Sequence, residues 1–218
     1  MPIRDPRDWL RARRGPASRL IIGTALIAPA AAFMSVSAPP AGDTVDYSED
    51  TVSRFWSERV LERQRQGLAL EYAATFQIPL DLAFQVHDAA VAEDIEPHVA
   101  FGLVRAESSF RRTAVSYAGA VGLTQLLPST ARWLVPGTTR SALFEPKTNL
   151  QVGFKYLRYL MDKYQGDERL ALTAYNRGPG TVDGLLKRGR NPDNGYADMV
   201  LTGESKRHVA LMRSRGTE

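Results

Sequence analysis

Residues 97–110 read PHVAFGLVRAESSF, and the spacing within them decides the local fold. Pro97 suits a first helical turn, where its missing N–H is no loss, and Val99, Ala100, Leu103 and Val104 follow at three- and four-residue intervals. That pattern predicts an amphipathic helix with one core-facing stripe. Four residues beyond Leu103 the stripe reaches Glu107, a carboxylate where an apolar side chain is expected. Partial desolvation opposes its ionisation, and so does the negative end of the helix dipole in the last turn. A glutamic acid kept protonated near neutrality is what general-acid cleavage of a glycoside requires. Taken alone, however, such a residue is also what a partnered side chain on a packed helix looks like.

Working outward, the flanking segments are helical as well. A pattern over about 52–76, rich in Arg, Glu, Gln, Leu and Ala, reads as a packing or spacer helix. Pro79 breaks it, and a second helix is predicted over about 81–92, with Leu82, Val86, Ala89 and Ala90 on one side. After Phe110 a small-residue loop, SYAGAVG over 116–122, leads through LTQLLP at 123–128 into a short helix ending near Trp133. The strongest helix signal covers 149–164, where Thr148 and Gln151 form a capping-box pair. Leu150, Gly153, Phe154, Leu157, Met161 and Tyr164 trace one face of it, and Gly166 suits the stop. A further helix over about 168–175 ends at NRGPG, residues 176–180. Nothing alternates with period two, so an essentially all-α domain is expected.

The N-terminus has a different character. Six arginines in the first twenty residues face only Asp5 and Asp8, which leaves 22 basic and 22 acidic side chains in the rest of the chain. The globular part is therefore neutral, and the net charge of +4 gives no support to nucleic-acid binding. The basic start runs into LIIGTALIAPAAAFM at 20–34 and small residues beyond, the pattern of an export signal. The apolar run is short for a membrane span and Pro29 interrupts it, but an uncleaved anchor in contact with a membrane is the alternative. The expected layout is a signal peptide or anchor over 1–38, a polar linker over 39–50, an N-terminal helix over 51–78 and a catalytic domain over 79–213. Export to the cell envelope follows. Cysteine is absent, which excludes disulfides, thiolate metal sites and a cysteine nucleophile. The three histidines, His87, His98 and His208, have no paired metal-ligand spacing, so neither a metal nor another cofactor is expected.

Several blocks follow one another along the chain: ESSF at 107–110, S-x-x-G-A-x-G-L-T-Q-L-L-P-S-T-A at 116–131, Asn149 with Tyr156-Leu157, and ALTAYN-x-GPG at 171–180. In order and spacing they resemble the catalytic domain of soluble lytic transglycosylases, peptidoglycan-cleaving relatives of goose-type lysozyme. The resemblance covers about 100 residues, from near Val86 to Asp183. It implies a two-lobed, lysozyme-like helical domain with a groove for a glycan strand. It also implies that Glu107 is the catalytic acid, and then base, in cleavage of the bond between N-acetylmuramic acid and N-acetylglucosamine. The muramic acid C6 hydroxyl would close onto the anomeric carbon, leaving a 1,6-anhydro end. One carboxyl can serve both steps because the second nucleophile belongs to the substrate, where ordinary glycosidases use two.

By the same resemblance Ser108 would hydrogen-bond the carboxyl or the sugar, and Gln125 would contact the glycan. Tyr175 and Asn176 would line the site opposite the glutamate, with a phenol able to orient the carboxyl and an amide able to hold an acetamido group. Two positions depart from the family pattern. Thr124 stands where the family has a methionine, replacing a flexible apolar sugar contact. His208 stands where a segment resembling residues 204–209 carries a tyrosine, so it would replace a groove-lining phenol. The competing readings are a hydrolytic muramidase on the same scaffold and a non-catalytic peptidoglycan-binding envelope protein.

Overall fold

A computed structural model describes residues 48–203. The apolar segment at 20–34, most of the expected linker and His208 lie outside that range. Among the described residues the chain is helical, with only two isolated β-bridges, Val115 to Val121 and Val121 to Leu126. Eight α-helices follow in order: α1 Glu49–Phe76, α2 Leu80–Ala92, α3 Pro97–Ser108, α4 Pro128–Leu134, α5 Pro146–Lys163, α6 Glu168–Arg177, α7 Pro179–Lys187 and α8 Tyr196–Thr202. One 3₁₀ turn, Ala142–Phe144, precedes α5.

The helix starts are dictated mainly by proline. Pro97, Pro128, Pro146 and Pro179 each stand in the first turn of a helix, where a fixed φ is already helical. This corrects the expectation for α5. It begins at Pro146, so Thr148 and Gln151 lie inside the helix, Glu145 is its N-cap, and no side chain caps it. The linker also ends earlier than expected, because Ser48 caps α1 through a bond from the Thr51 N–H, and Glu49 and Asp50 already occupy its first turn. Helices α7 and α8 were not anticipated from the sequence. Gly178, at φ 82°, turns the chain sharply enough for α7 to restart within the NRGPG stretch.

The core forms around α5, whose Leu150, Phe154, Leu157 and Leu160 are fully buried between α2, α4 and α6. Helix α3 packs against α2 on one side and α8 on the other, and α8 also touches α6. Helix α1 docks through its C-terminal half alone. There Ala69 is buried, and Tyr72 stacks on Phe101 of α3 with ring centroids 4.0 Å apart. Arg65 of α1 reaches Asp88 of α2 through two hydrogen bonds of 2.6 and 2.7 Å.

The end of α3 is set by backbone conformation. Ser109 and Phe110 are both left-handed, at φ 50° and 59°, a pairing that costs non-glycine residues about 1 kcal/mol or more each. Packing holds them there, since the Phe110 ring lies 5.1 Å from Phe76 and 6.4 Å from Phe101. The aromatic anchor thus stops α3 directly after Glu107 and Ser108, leaving the acid in the final turn.

Candidate active site

Glu107 is half-buried at the C-terminal end of α3. The group that meets it was missed by the sequence reading: the Tyr196 hydroxyl, at the start of α8, donates a hydrogen bond to Glu107 Oε1. Tyr196 is 1% exposed, and burial pushes its phenol well above the usual range, with the Glu107 charge adding to the effect. The phenol therefore stays neutral at working pH and serves as a fixed donor. The only signal for it in the sequence is a tyrosine following Asn194-Gly195, beyond the blocks that carried the resemblance.

A close helix contact makes this pairing possible. Gly102 faces the backbone of α8, where a Cβ would stand 2.2 Å from the Val200 carbonyl oxygen. Without a side chain there, α3 and α8 approach closely enough for Tyr196 to reach the carboxyl. The approach to α8 is held from α6. Asn194 donates to Asn176 Oδ1 at 2.9 Å, Arg177 donates to the Pro192 carbonyl at 2.7 Å, and Arg169 pairs with Asp198.

Tyr175 enters from α6, and its hydroxyl donates to the Thr124 carbonyl at 2.9 Å rather than to Glu107. The phenol on the Glu107 carboxyl is therefore that of Tyr196, while Tyr175 bonds the Thr124 carbonyl. Burial, followed by the Glu107 charge, also raises the Tyr175 phenol well above its ordinary value, so the two groups are electrostatically coupled. Asn176 is exposed and its amide oxygen accepts from Asn194. Gln125 takes a left-handed conformation at φ 47°, and its amide nitrogen donates to the carbonyls of Ala114 and Gly122 at 3.1 and 2.9 Å. Its amide nitrogen closes the loop, and among the described residues Oε1 accepts no such bond.

Two residues differ from expectation in where their side chains go. Ser108 is 2% exposed and its hydroxyl donates to the Val104 carbonyl one turn back at 3.1 Å, so it bonds the helix and not the carboxyl. Thr124 is fully buried, so it replaces no groove-facing contact. Its N–H and hydroxyl both donate to Asn149 Oδ1 at 2.8 Å, and its side chain fills the space that a Cβ on Gly153 would take. Asn149 completes the clamp by donating to the carbonyls of Val121 and Leu143 at 2.9 and 2.8 Å. This amide is fully buried and its four bonds fix the loop that carries Gln125 and the carbonyl under Tyr175. Among the described residues no group of three or more His, Cys, Asp and Glu side chains is arranged to hold a metal ion.

The site thus holds one half-buried acid, a buried phenol bonded to its carboxyl and a second phenol that feels its charge. The model of the transglycosylase SLT domain matches residues 84–195, which include all of these groups except the part of α8 beyond Gly195. The chain belongs to the transglycosylase SLT domain family. Helix α1 lies before the matched region, and Tyr196 immediately follows it.

Among curated relatives, a soluble lytic murein transglycosylase of Salmonella typhimurium is 35% identical over 129 residues, 54% of this chain and 19% of that protein. A membrane-bound lytic murein transglycosylase C of Histophilus somni is 35% identical over 111 residues, 44% of this chain and 31% of that protein. One from Sodalis glossinidius is 30% identical over 155 residues, covering 60% and 43% of the two chains. This chain therefore spans less than half the length of the curated relatives it matches. A solved complex of the 70-kDa soluble lytic transglycosylase with bulgecin A has a TM-score of 0.51 and 26% identity, over 67% of this chain and 26% of that one. The helical fold is thus shared with lytic transglycosylases.

Proposed function

We propose that the chain is a peptidoglycan lytic transglycosylase and that Glu107 is its catalytic acid and base. The observation that carries the proposal is the Tyr196 hydrogen bond to Glu107 at the end of α3. Among the described residues, Glu107 is the carboxylate whose charge raises both the Tyr175 and the Tyr196 phenol. In its acid form Glu107 protonates the glycosidic oxygen as the bond between N-acetylmuramic acid and N-acetylglucosamine breaks. The resulting carboxylate then accepts the proton of the C6 hydroxyl while that oxygen closes onto the anomeric carbon. No water is consumed, and the acid is regenerated. Throughout, Tyr196 keeps the carboxyl in one orientation, which is the positional control that such a transfer needs.

Gln125 Oε1 and the exposed Asn176 amide are proposed to contact the glycan, with Tyr175 forming the wall beside the acid. Residues 79–213 are proposed as the catalytic unit, with α1 as an addition in front of it. Peptidoglycan is the proposed partner and the cell envelope the proposed location, in keeping with the murein-directed names of the relatives. Among the described residues no helix is long and apolar enough to cross a membrane.

Mass spectrometry of digested peptidoglycan tests the reading. The expected products are anhydro-ended muropeptides, one water lighter than hydrolysed ones, released by the wild type. Glu107→Gln should lower the rate by about two orders of magnitude or more. Reducing-end products would identify a hydrolase, and equal clearing by both proteins would remove Glu107 from the mechanism.

A further inference from the structure

Helix α1 lies before residues 84–195, the stretch shared with the family, yet its last residue meets both elements that build the acid pair. Phe76 ends α1, and Gln77 after it is left-handed at φ 53°, so the helix stops at this ring. Three rings lie nearly parallel there. Tyr72 stacks on the fully buried Phe101 of α3 at 4.0 Å, and Phe76 stands 6.1 Å from each of them. From this position Phe76 reaches in two directions.

The first contact is to Phe110, 5.1 Å away and tilted by 40°. Ser109 and Phe110 carry the left-handed backbone that ends α3, and Glu107 stands two residues before Ser109. Without the Phe76 ring, Phe110 keeps only the more distant Phe101 ring, at 6.4 Å, to hold a conformation that non-glycine residues rarely adopt. The second contact is to Arg105 of α3, whose guanidinium carbon lies 5.9 Å from the Phe76 ring centroid. The same guanidinium packs on the end of α8, since a Cβ on Gly203, the C-cap of that helix, would lie 2.5 Å from its Nη1. A cation is favoured beside the carbonyl end of a helix. Among the described residues no carboxylate pairs with Arg105, so the ring and the helix end are what orient it. Arg105 thus bridges α1 to α8, whose first residue, Tyr196, bonds Glu107.

We infer that Phe76 is a positioning residue for the acid, acting through Phe110 on the end of α3 and through Arg105 on α8, so that α1 belongs to the active-site framework. This role rests on the reading of Glu107 as the acid and adds to it a helix that precedes the family's shared region. Phe76 touches no reacting atom. It stands behind both partners of the Glu107–Tyr196 bond, and loss of its ring loosens the two sides of that bond together.

The test uses the full chain with Phe76→Ala, Phe76→Tyr, Arg105→Met and Tyr196→Phe. With rates corrected to folded protein, Phe76→Ala should lower kcat on purified peptidoglycan about ten- to 100-fold and change KM less than about twofold. Phe76→Tyr keeps the ring and should restore most of the rate. In Phe76→Ala and Arg105→Met the high-pH limb of kcat/KM should move upward, the sense expected for Tyr196→Phe, because each loosens the donor on the carboxylate. Adding Phe76→Ala to Tyr196→Phe should give little further shift, and a full second shift would overturn the role. A purely structural part for Phe76 would lower the melting temperature while leaving kcat per folded molecule and the pH limb unchanged, which also overturns it. If Phe76→Ala does not fold, Arg105→Met decides, since it leaves the ring cluster intact; an unchanged kcat and limb there refute the inference. Carboxyl carbon-13 NMR titration of Glu107 needs no turnover and separates this role from the catalytic reading. A Glu107 curve that moves up in the variants supports positioning even if the wild type forms no anhydro product, in which case the catalytic reading alone fails. A curve that stays in place overturns positioning even in an active enzyme.

Discussion

Gly102→Ala should be damaging far beyond its size. The added Cβ would lie 2.2 Å from the Val200 carbonyl oxygen, 3.1 Å from its carbonyl carbon and 3.3 Å from Cγ1. An alanine has no rotamer with which to escape, and the nearest obstacle is backbone. Restoring ordinary contact requires α8 to retreat from α3 by about 1 Å, and overpacking of this kind costs about 1–3 kcal/mol. For a chain of this size that is a fall in Tm of about 2–12 °C, read by calorimetry. The functional loss should be larger in proportion, because the displaced helix begins with Tyr196. A shift of about 1 Å removes the hydrogen bond to Glu107, and misplacement on that scale lowers rates by about 100-fold. Gly67→Ala is the internal control. Gly67 is exposed within α1 and a Cβ there meets nothing within 4 Å. The same substitution should therefore stabilise by about 0.5–1 kcal/mol and leave turnover alone. Full activity in Gly102→Ala, or a melting temperature at or above that of wild type, would refute the argument that close approach of α3 and α8 positions the acid.

Other perturbations probe separate parts of the structure. Tyr196→Phe removes a donor to the Glu107 carboxylate and so disfavours its ionised form. The high-pH limb of the kcat/KM profile should move to higher pH while the maximum rate drops, whereas an unchanged profile would show that the phenol does not act on the acid. Asn149→Ala leaves the Leu143 carbonyl and the Thr124 N–H without partners, while the Val121 carbonyl keeps the Leu126 N–H and the Thr124 hydroxyl keeps the backbone carbonyl of residue 149, and it should destabilise by about 2–3 kcal/mol in chemical denaturation, against less than about 1 kcal/mol if water replaces the amide. The Arg65 hydrogen bond, with His87 adding, holds the Asp88 carboxyl below its usual range. A depressed carboxylate contributes stability above its unfolded-state pKa, near 4, and loses it as pH falls through the lower folded value. Asp88 is half-exposed, so Asp88→Asn should lower stability by about 1 kcal/mol or less at pH 7, with the difference fading below about pH 4. A difference that persists at low pH would assign the effect to packing and not to charge.

What the sequence revealed, and what it hid, follows from which interactions are local. The stripe from Val99 to Glu107 is a property of one helix, so its periodicity was sufficient to locate the acid at the end of α3. Proline at N1 is equally local, yet at Pro146 it outranked the Thr148–Gln151 capping pair, because a fixed φ already starts the helix there. The motif blocks pointed to Tyr175 and Gln125. They did not reveal what each polar atom would do, since Ser108 back-bonds its own helix and the Thr124 hydroxyl turns inward to Asn149. Tyr196 was invisible for a stronger reason. Its pairing with Glu107 spans 89 positions and depends on the distance between two helices, which no local pattern records.

That distance is itself encoded, but in residues that read as spacers. Gly102 admits the α8 backbone beside α3, Gly153 admits the Thr124 side chain against α5, and Gly122 leaves room for the Asn149 amide, which would lie 2.3 Å from a Cβ. Each glycine stands at a contact that fixes a different segment of the site. The first sets Tyr196, the second sets the Thr124 carbonyl that receives Tyr175, and the third sets the loop that presents Gln125. Tyr196, which bonds the glutamate, and the segments that fix Tyr175 and Gln125 are therefore positioned by side chains that are absent. A swap that preserves every polar residue but adds a methyl at any of the three should disturb the site more than removal of the Ser108 hydroxyl, which bonds only within α3.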